Sequence, residues 1–236
     1  RGGEICFAAE PVDMATGAMV DYETDVSIPG VLPLVIDRNS NSGHELGRAL
    51  GPQWVSRMDC RIEICADEVL MLTPDGALVT FPAAPLDGSE VRADGRPWLL
   101  SFVDGAYRVR DVASGVVYVF ATATEMSMVR PVGPVEDVQN LHDPSVGPDP
   151  EMVGVTVGGY GYRSASVAGY AGIGFEVGLT AVIHRTGHMI EYGWDQSSGL
   201  MTSMRRSDGT MLELVWDRRT HRMASVWLTH EDRPDE

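Results

Sequence analysis

Along most of the chain, apolar and polar residues alternate in short runs broken by Gly, Pro, Asp and Ser, a pattern that predicts successive strands and turns. No stretch carries the period of a long amphipathic helix. Arg61-Ile62-Glu63-Ile64, Val69–Leu72, Ala77–Phe81, Trp98–Phe102, Tyr107–Arg110 and Val116–Phe120 each read as a strand of modest length. Between them stand Pro74-Asp75-Gly76, Asp87-Gly88, Asp94-Gly95, Asp104-Gly105 and Ser114-Gly115. Asp-Gly pairs supply the positive φ that tight hairpins require, so an all-β chain with an antiparallel meander is expected.

The pattern changes after the meander. Residues 131–151 are rich in proline and acid, with Pro131, Pro134, Pro144, Pro148 and Pro150 among Glu136, Asp137, Asp143, Asp149 and Glu151. Residues 153–178 are rich in glycine and nearly uncharged, which fits either thin strands or an inserted loop. A repeat follows. Thr186-Gly187 recurs as Asp208-Gly209, Tyr192-Gly193-Trp194-Asp195 as Leu214-Val215-Trp216-Asp217, and Leu200–Met204 as Arg222–Val226, each at an offset of 22 residues. Each copy reads as one hairpin, and a lone hairpin is marginal in water, so such units must stack edge to edge. The expected divisions are a segment 1–10, a meander domain 11–130, a linker or insertion 131–180, repeats 181–230 and an acidic tail 231–236.

Composition narrows the chemistry. The chain has 236 residues and a formal net charge of −16, which disfavours nucleic acid as a partner. All 18 basic side chains are arginine, so lysine Schiff bases, lysine nucleophiles and lysine phosphate loops are excluded. No apolar run reaches the roughly 18 to 20 residues that a membrane-spanning helix needs. The start at Arg1, with neither Met nor an apolar leader, suggests a processed product or a piece of something longer. Cys6, Cys60 and Cys65 make no disulfide framework; Cys60 and Cys65 are expected as buried or half-buried free thiols on opposite faces of a strand.

Two sets of residues carry a family resemblance. Gly187 through Trp194-Asp195 to Met204 resembles the repeat of the Rhs/YD-repeat family of bacterial polymorphic toxins, with Trp where the family name has Tyr. The second copy keeps Gly209 and Trp216-Asp217 but has His221 where the family favours Gly. Near the other end, Pro11, Val12, Thr16 and Gly17, then Pro29-Gly30-Val31-Leu32-Pro33-Leu34, then Gly51-Pro52-Gln53-Trp54, resemble the domain that precedes such repeats. Gln53 departs from that pattern, which has Gly there.

The resemblance implies an all-β antiparallel hairpin meander forming part of a hollow cocoon that encloses a C-terminal toxin. The partners it implies are the remaining shell repeats, the enclosed toxin and a secretion spike or adaptor protein, in a secreted or delivered effector. A cell-surface or cell-wall protein acting in adhesion or carbohydrate binding is the alternative. No enzymatic role, cofactor or metal is expected. Relatives cut on the N-terminal side of the shell point to Glu10-Pro11 as a processing junction, with Glu4, Glu10 or Asp13 as acid or base. The plainer reading there is an uncleaved edge strand.

Other motifs are weighed against structural readings. His184 and His188 suit a strand and turn better than a zinc site, because no further ligands accompany them. Asp143-Pro144-Ser145-Val146-Gly147 differs by one residue from the family's self-cleaving Asp-Pro-x-Gly element and precedes the repeats, so it reads as a loop. Gly158–Gly161 lacks the full dinucleotide fingerprint. Trp54, Trp98, Trp194, Trp216 and Trp227 are expected to pack in the core.

Overall fold

A computed structural model describes residues 17–43, 45–65, 67–83, 87–120, 175–195, 198–217 and 222–230. Among them the regular elements are strands, apart from one 3-10 turn at Arg57–Asp59. In chain order the strands are β1 Val20–Ile28, β2 Leu34–Asn41, β3 Trp54–Ser56, β4 Arg61–Ile64, β5 Glu68–Leu72, β6 Leu78–Pro82, β7 Val91–Arg92 and β8 Trp98–Val103. They continue as β9 Ala106–Asp111, β10 Val116–Phe120, β11 Phe175–His184, β12 Met189–Asp195, β13 Leu200–Arg206, β14 Thr210–Asp217 and β15 Arg222–His230. All pairing among the described residues is antiparallel, as the meander reading expected. No helix among them is long and apolar enough to cross a membrane.

The turns follow from glycine chemistry. In the β11–β12 and β13–β14 connections, the N–H of Gly187 donates to His184 O at 2.9 Å and that of Gly209 to Arg206 O at 3.0 Å. Both glycines have φ +89°, the left-handed conformation that closes a three-residue hairpin loop. The two copies therefore share turn geometry as well as spacing.

β1, β2 and β3 form a small sheet, while β7 to β15 run in chain order across a large one. β11 joins the large sheet to a side branch. Its first residues, Phe175–Gly178, pair with β4, which continues to β5 and β6, and its later residues pair with β10 and β12. Residues 175–180, at the end of the segment set apart as linker or insertion, are thus strand; residues 121–174 lie outside the described residues.

Alternation explains the core. Leu212 and Leu214 on β14 point inward between exposed Glu213 and Val215. Leu34 and Ile36 on β2, Ile62, Met71 and Phe81 on the branch, and Leu100, Phe120, Leu179, Ile190 and Met204 on the large sheet belong to one buried cluster. The β4–β5 hairpin is buried on both faces, so its sequence shows apolar runs and enclosed charges instead of a clean two-residue period. One core serves both ends of the described chain.

Candidate functional site

The site with the most organised chemistry is the junction between the segment before the repeats and the repeat sheet. It is built around the 3-10 turn. Ser56 caps that turn, and buried Asp59 answers it: Oδ2 accepts Ser56 N and Oγ, each at 2.8 Å. Asp59 Oδ1 accepts Arg48 N at 2.7 Å and Ala49 N at 3.0 Å, so one carboxylate binds the 48–49 loop to the turn. That loop is tight: Gly47 N donates to Pro52 O at 3.0 Å, and Trp54 N to Gly51 O at 3.0 Å. Gln53, which stands where the resemblance expects Gly, has no positive φ that would demand glycine, and its carbonyl accepts Asn41 N at 3.1 Å.

Fixing this loop aims Arg48 at the repeat sheet. Its guanidinium forks onto Glu176 of β11, through an Nη1–Oε1 pair and an Nη2–Oε2 bond of 2.7 Å. Glu176 stands directly opposite Glu63 of β4, and both are buried. Like charges at facing positions repel, and the arginines compensate. Arg61 Nε lies 3.5 Å from Glu63 Oε1 and 3.7 Å from Glu176 Oε2, while its Nη1 donates to Leu46 O at 3.2 Å. Burial opposes the Arg48 charge, yet Glu176 and Glu63 hold its pKa above the ordinary value. Planar guanidinium forks suit such enclosed pairs better than ammonium groups do, which gives the all-arginine composition a structural use here. Beside the cluster, Arg61 and Glu176 face Trp194, Met201 and Trp216 across a cavity of about 20 Å³, room for a single water.

A second tie runs the other way. Buried Arg206, at the β13–β14 turn, donates from Nη1 to Pro29 O at 2.8 Å and from Nη2 to Thr210 Oγ1 at 3.2 Å. Its Nε reaches Asp208 Oδ2 at 2.8 Å. That bond and the Thr210 backbone N–H hold the Asp208 carboxyl well below the usual carboxylate range. A Cβ at position 30 would overlap Arg206 Nη1, so Gly30 is the residue that lets the guanidinium reach the chain. Arg57 supplies a third tie: burial opposes its charge, but Tyr192, Asp37 and Tyr118 around it raise its pKa.

The expected site residues divide clearly. Pro29-Gly30 meets Arg206; Gly51 and Trp54 shape the loop that carries Arg48; Trp54 also lies under the Arg38 guanidinium, 5.0 Å from its ring centre. Pro33 is exposed just before β2, and Gly17 has φ +73°. Glu10, Pro11, Val12 and Thr16 lie outside the described residues, as do Asp143–Gly147, Gly158–Gly161 and His221. Trp194 Nε1 donates to Leu179 O at 2.9 Å and Trp216 Nε1 to Met201 O at 2.6 Å, the same bond in successive copies. Asp195 closes its turn by accepting Gly199 N at 2.7 Å and Ser198 N, on Oδ1, at 3.3 Å; Asp217 ends β14.

Three further expectations meet the structure here. Cys60 is buried and Cys65 half-buried, both free, and burial pushes the Cys60 thiol up. His184 and His188 flank the β11–β12 turn, with His184 Nδ1 2.7 Å from Thr186 Oγ1. Trp227 departs from the core-packing expectation. It is 61% exposed, because it alternates with Leu228 on β15 and faces away from the core.

Arg48, Arg57, Asp59, Glu176 and Arg206 were not singled out in the sequence. One signal for Arg206 was present: its counterpart 22 residues earlier is His184, so it is a position where the copies differ. A residue that breaks a repeat is a candidate for contact with something outside it. A family model described as a domain of unknown function, DUF6531, matches residues 9–81, which include Gly30, Arg48, Asp59, Arg61 and Glu63. No curated protein matches the chain.

Proposed function

We propose that this chain is a structural wall element, the N-terminal part of an Rhs-type shell that encloses a C-terminal toxin and is delivered with it. The observation that carries the reading is the edge of the repeat sheet. β13 is paired on both sides, by β12 and β14, whereas among the described residues its counterpart in the next copy, β15, pairs only with β14. Leu228 consequently stands 59% exposed opposite buried Leu212. An edge that no described strand pairs, with an apolar residue on its core-facing side, is a surface that another hairpin of the same kind would cover. The ties through Arg48, Arg57 and Arg206 anchor the first copies, so the wall grows away from a fixed start. Net negative charge favours solubility of such a surface and repels acidic partners. The buried, poorly ionised Cys60 thiol and the turn-bound His184 support a scaffold role over a catalytic one.

The test is to append a second copy of residues 209–230 after His230 and follow hydrogen exchange in β15. The reading expects the β15 amides directed away from β14 to slow by about a hundredfold or more. Exchange in β15 as fast as in the parent would overturn it.

Carbohydrate binding at a cell surface is the second reading, favoured by Trp227. Its exposed indole and Val215, 44% exposed, share the sheet face turned away from the core, a platform on which a sugar ring can stack. Glycan binding lost in Trp227→Ala would support it.

A further inference from the structure

The register of the strands shows a common irregularity in three places. Between β12 and β13, Gly193 faces Ser203 and Trp194 faces Met201, leaving Thr202 as the extra residue of a bulge. Between β14 and β15, Val215 faces Ser225 and Trp216 faces Met223, leaving Ala224. Between β10 and β11, Val119 faces Ala181 and Phe120 faces Leu179, leaving Thr180. The bulged residues 180, 202 and 224 fall 22 apart. Nothing in plain antiparallel pairing dictates where a bulge falls, so its recurrence at the repeat spacing is informative.

The side chains agree. Phe120, fully buried, occupies the place of Trp194 and Trp216, an aromatic opposite a long apolar residue. A small residue follows the bulge each time: Ala181, Ser203, Ser225. Leu179 gives its carbonyl to the next copy's Trp194, as Met201 does to Trp216.

We propose that β10 and β11 are the two strands of a third repeat unit, and that residues 121–174 are an insertion in its hairpin loop, not a linker between two folded parts. In the two intact copies the bulge lies eight positions after the aromatic; in this one it lies sixty positions after it. The inference stands on strand register and does not depend on the shell reading. It identifies the loop end between β10 and β11 as a place where the sheet accepts added sequence without losing its ladder. The returning strand also carries Glu176, which accepts from the Arg48 guanidinium.

The test replaces residues 121–174 by a Gly-Ser linker of about ten residues. Phe120 pairs with Leu179, four residues from Phe175, so the linker must span about 13 Å. The expected result is a single cooperative thermal transition, with β10 and β11 amides exchanging within about twofold of their rates in the full chain. Loss of β10–β11 protection by about a hundredfold while β12–β14 stay protected would overturn the proposal. Should the shortened chain aggregate, the full chain carrying one site-specific protease sequence within 121–174 decides. After cutting, the two pieces must co-elute as one folded species; their separation under native conditions overturns the proposal.

Discussion

The Arg206 guanidinium bonds the Pro29 carbonyl at 2.8 Å, across 177 residues of sequence, and does so over a glycine that leaves it room. This pairing joins the motif before the repeats to a turn of the repeats themselves. Gly30→Ala should force the guanidinium off Pro29 and cost about 1–3 kcal/mol of stability. In Arg206→Ala the same change should cost little, so the double-mutant cycle from denaturant melts should show strong coupling. Additive effects would mean that the two residues act independently.

The paired glutamates should differ sharply. Glu176 holds the Arg48 fork, whereas Glu63 meets Arg61 at 3.5 Å and repels Glu176 across the strands. Glu176→Gln is expected to cost about 3 kcal/mol or more and Glu63→Gln clearly less, since it also relieves repulsion. Equal midpoints for the two variants in urea would contradict this assignment.

Trp194 and Trp216 make the same bond in successive copies. Replacing either by Phe keeps an aromatic ring but removes the donor and part of the indole's volume, so each variant should lose about 1–3 kcal/mol, and by similar amounts. Loss at only one site would show that the copies are not equivalent in energy.

How much of this was legible in the sequence can be judged from particular residues. Strand β4 was expected at Arg61–Ile64 and found there, and Gly76, Gly88, Gly95, Gly105 and Gly115 all have positive φ, because turn chemistry is local. The repeat was equally legible, since its spacing is a property of the chain alone. The third unit was not, because 121–174 separates its strands and Phe120 replaces the tryptophan. Nor was the junction. Arg48 and Glu176 are 128 residues apart, and no spacing rule connects a fork to its carboxylate. Trp227 shows the limit of composition: an aromatic within a strand packs or not according to which face of the sheet it stands on.

Alkaline titration probes the packing of the junction from another side. Burial pushes Tyr118 up to about 12, above its ordinary value of 10.0. The folded chain therefore keeps a proton that the unfolded chain gives up, so stability present below pH 10 falls as the pH rises toward about 12. Tyr118→Phe should flatten the slope of unfolding free energy in that window. An unchanged slope would place the titrating groups elsewhere.

The central claim is that this chain begins a wall around a protein cargo, and protease protection in the complete parent protein tests it most directly. Digestion followed by mass spectrometry should leave the C-terminal cargo intact at least about tenfold longer than the same cargo expressed alone. Cargo cut at the same rate in both preparations would contradict the account.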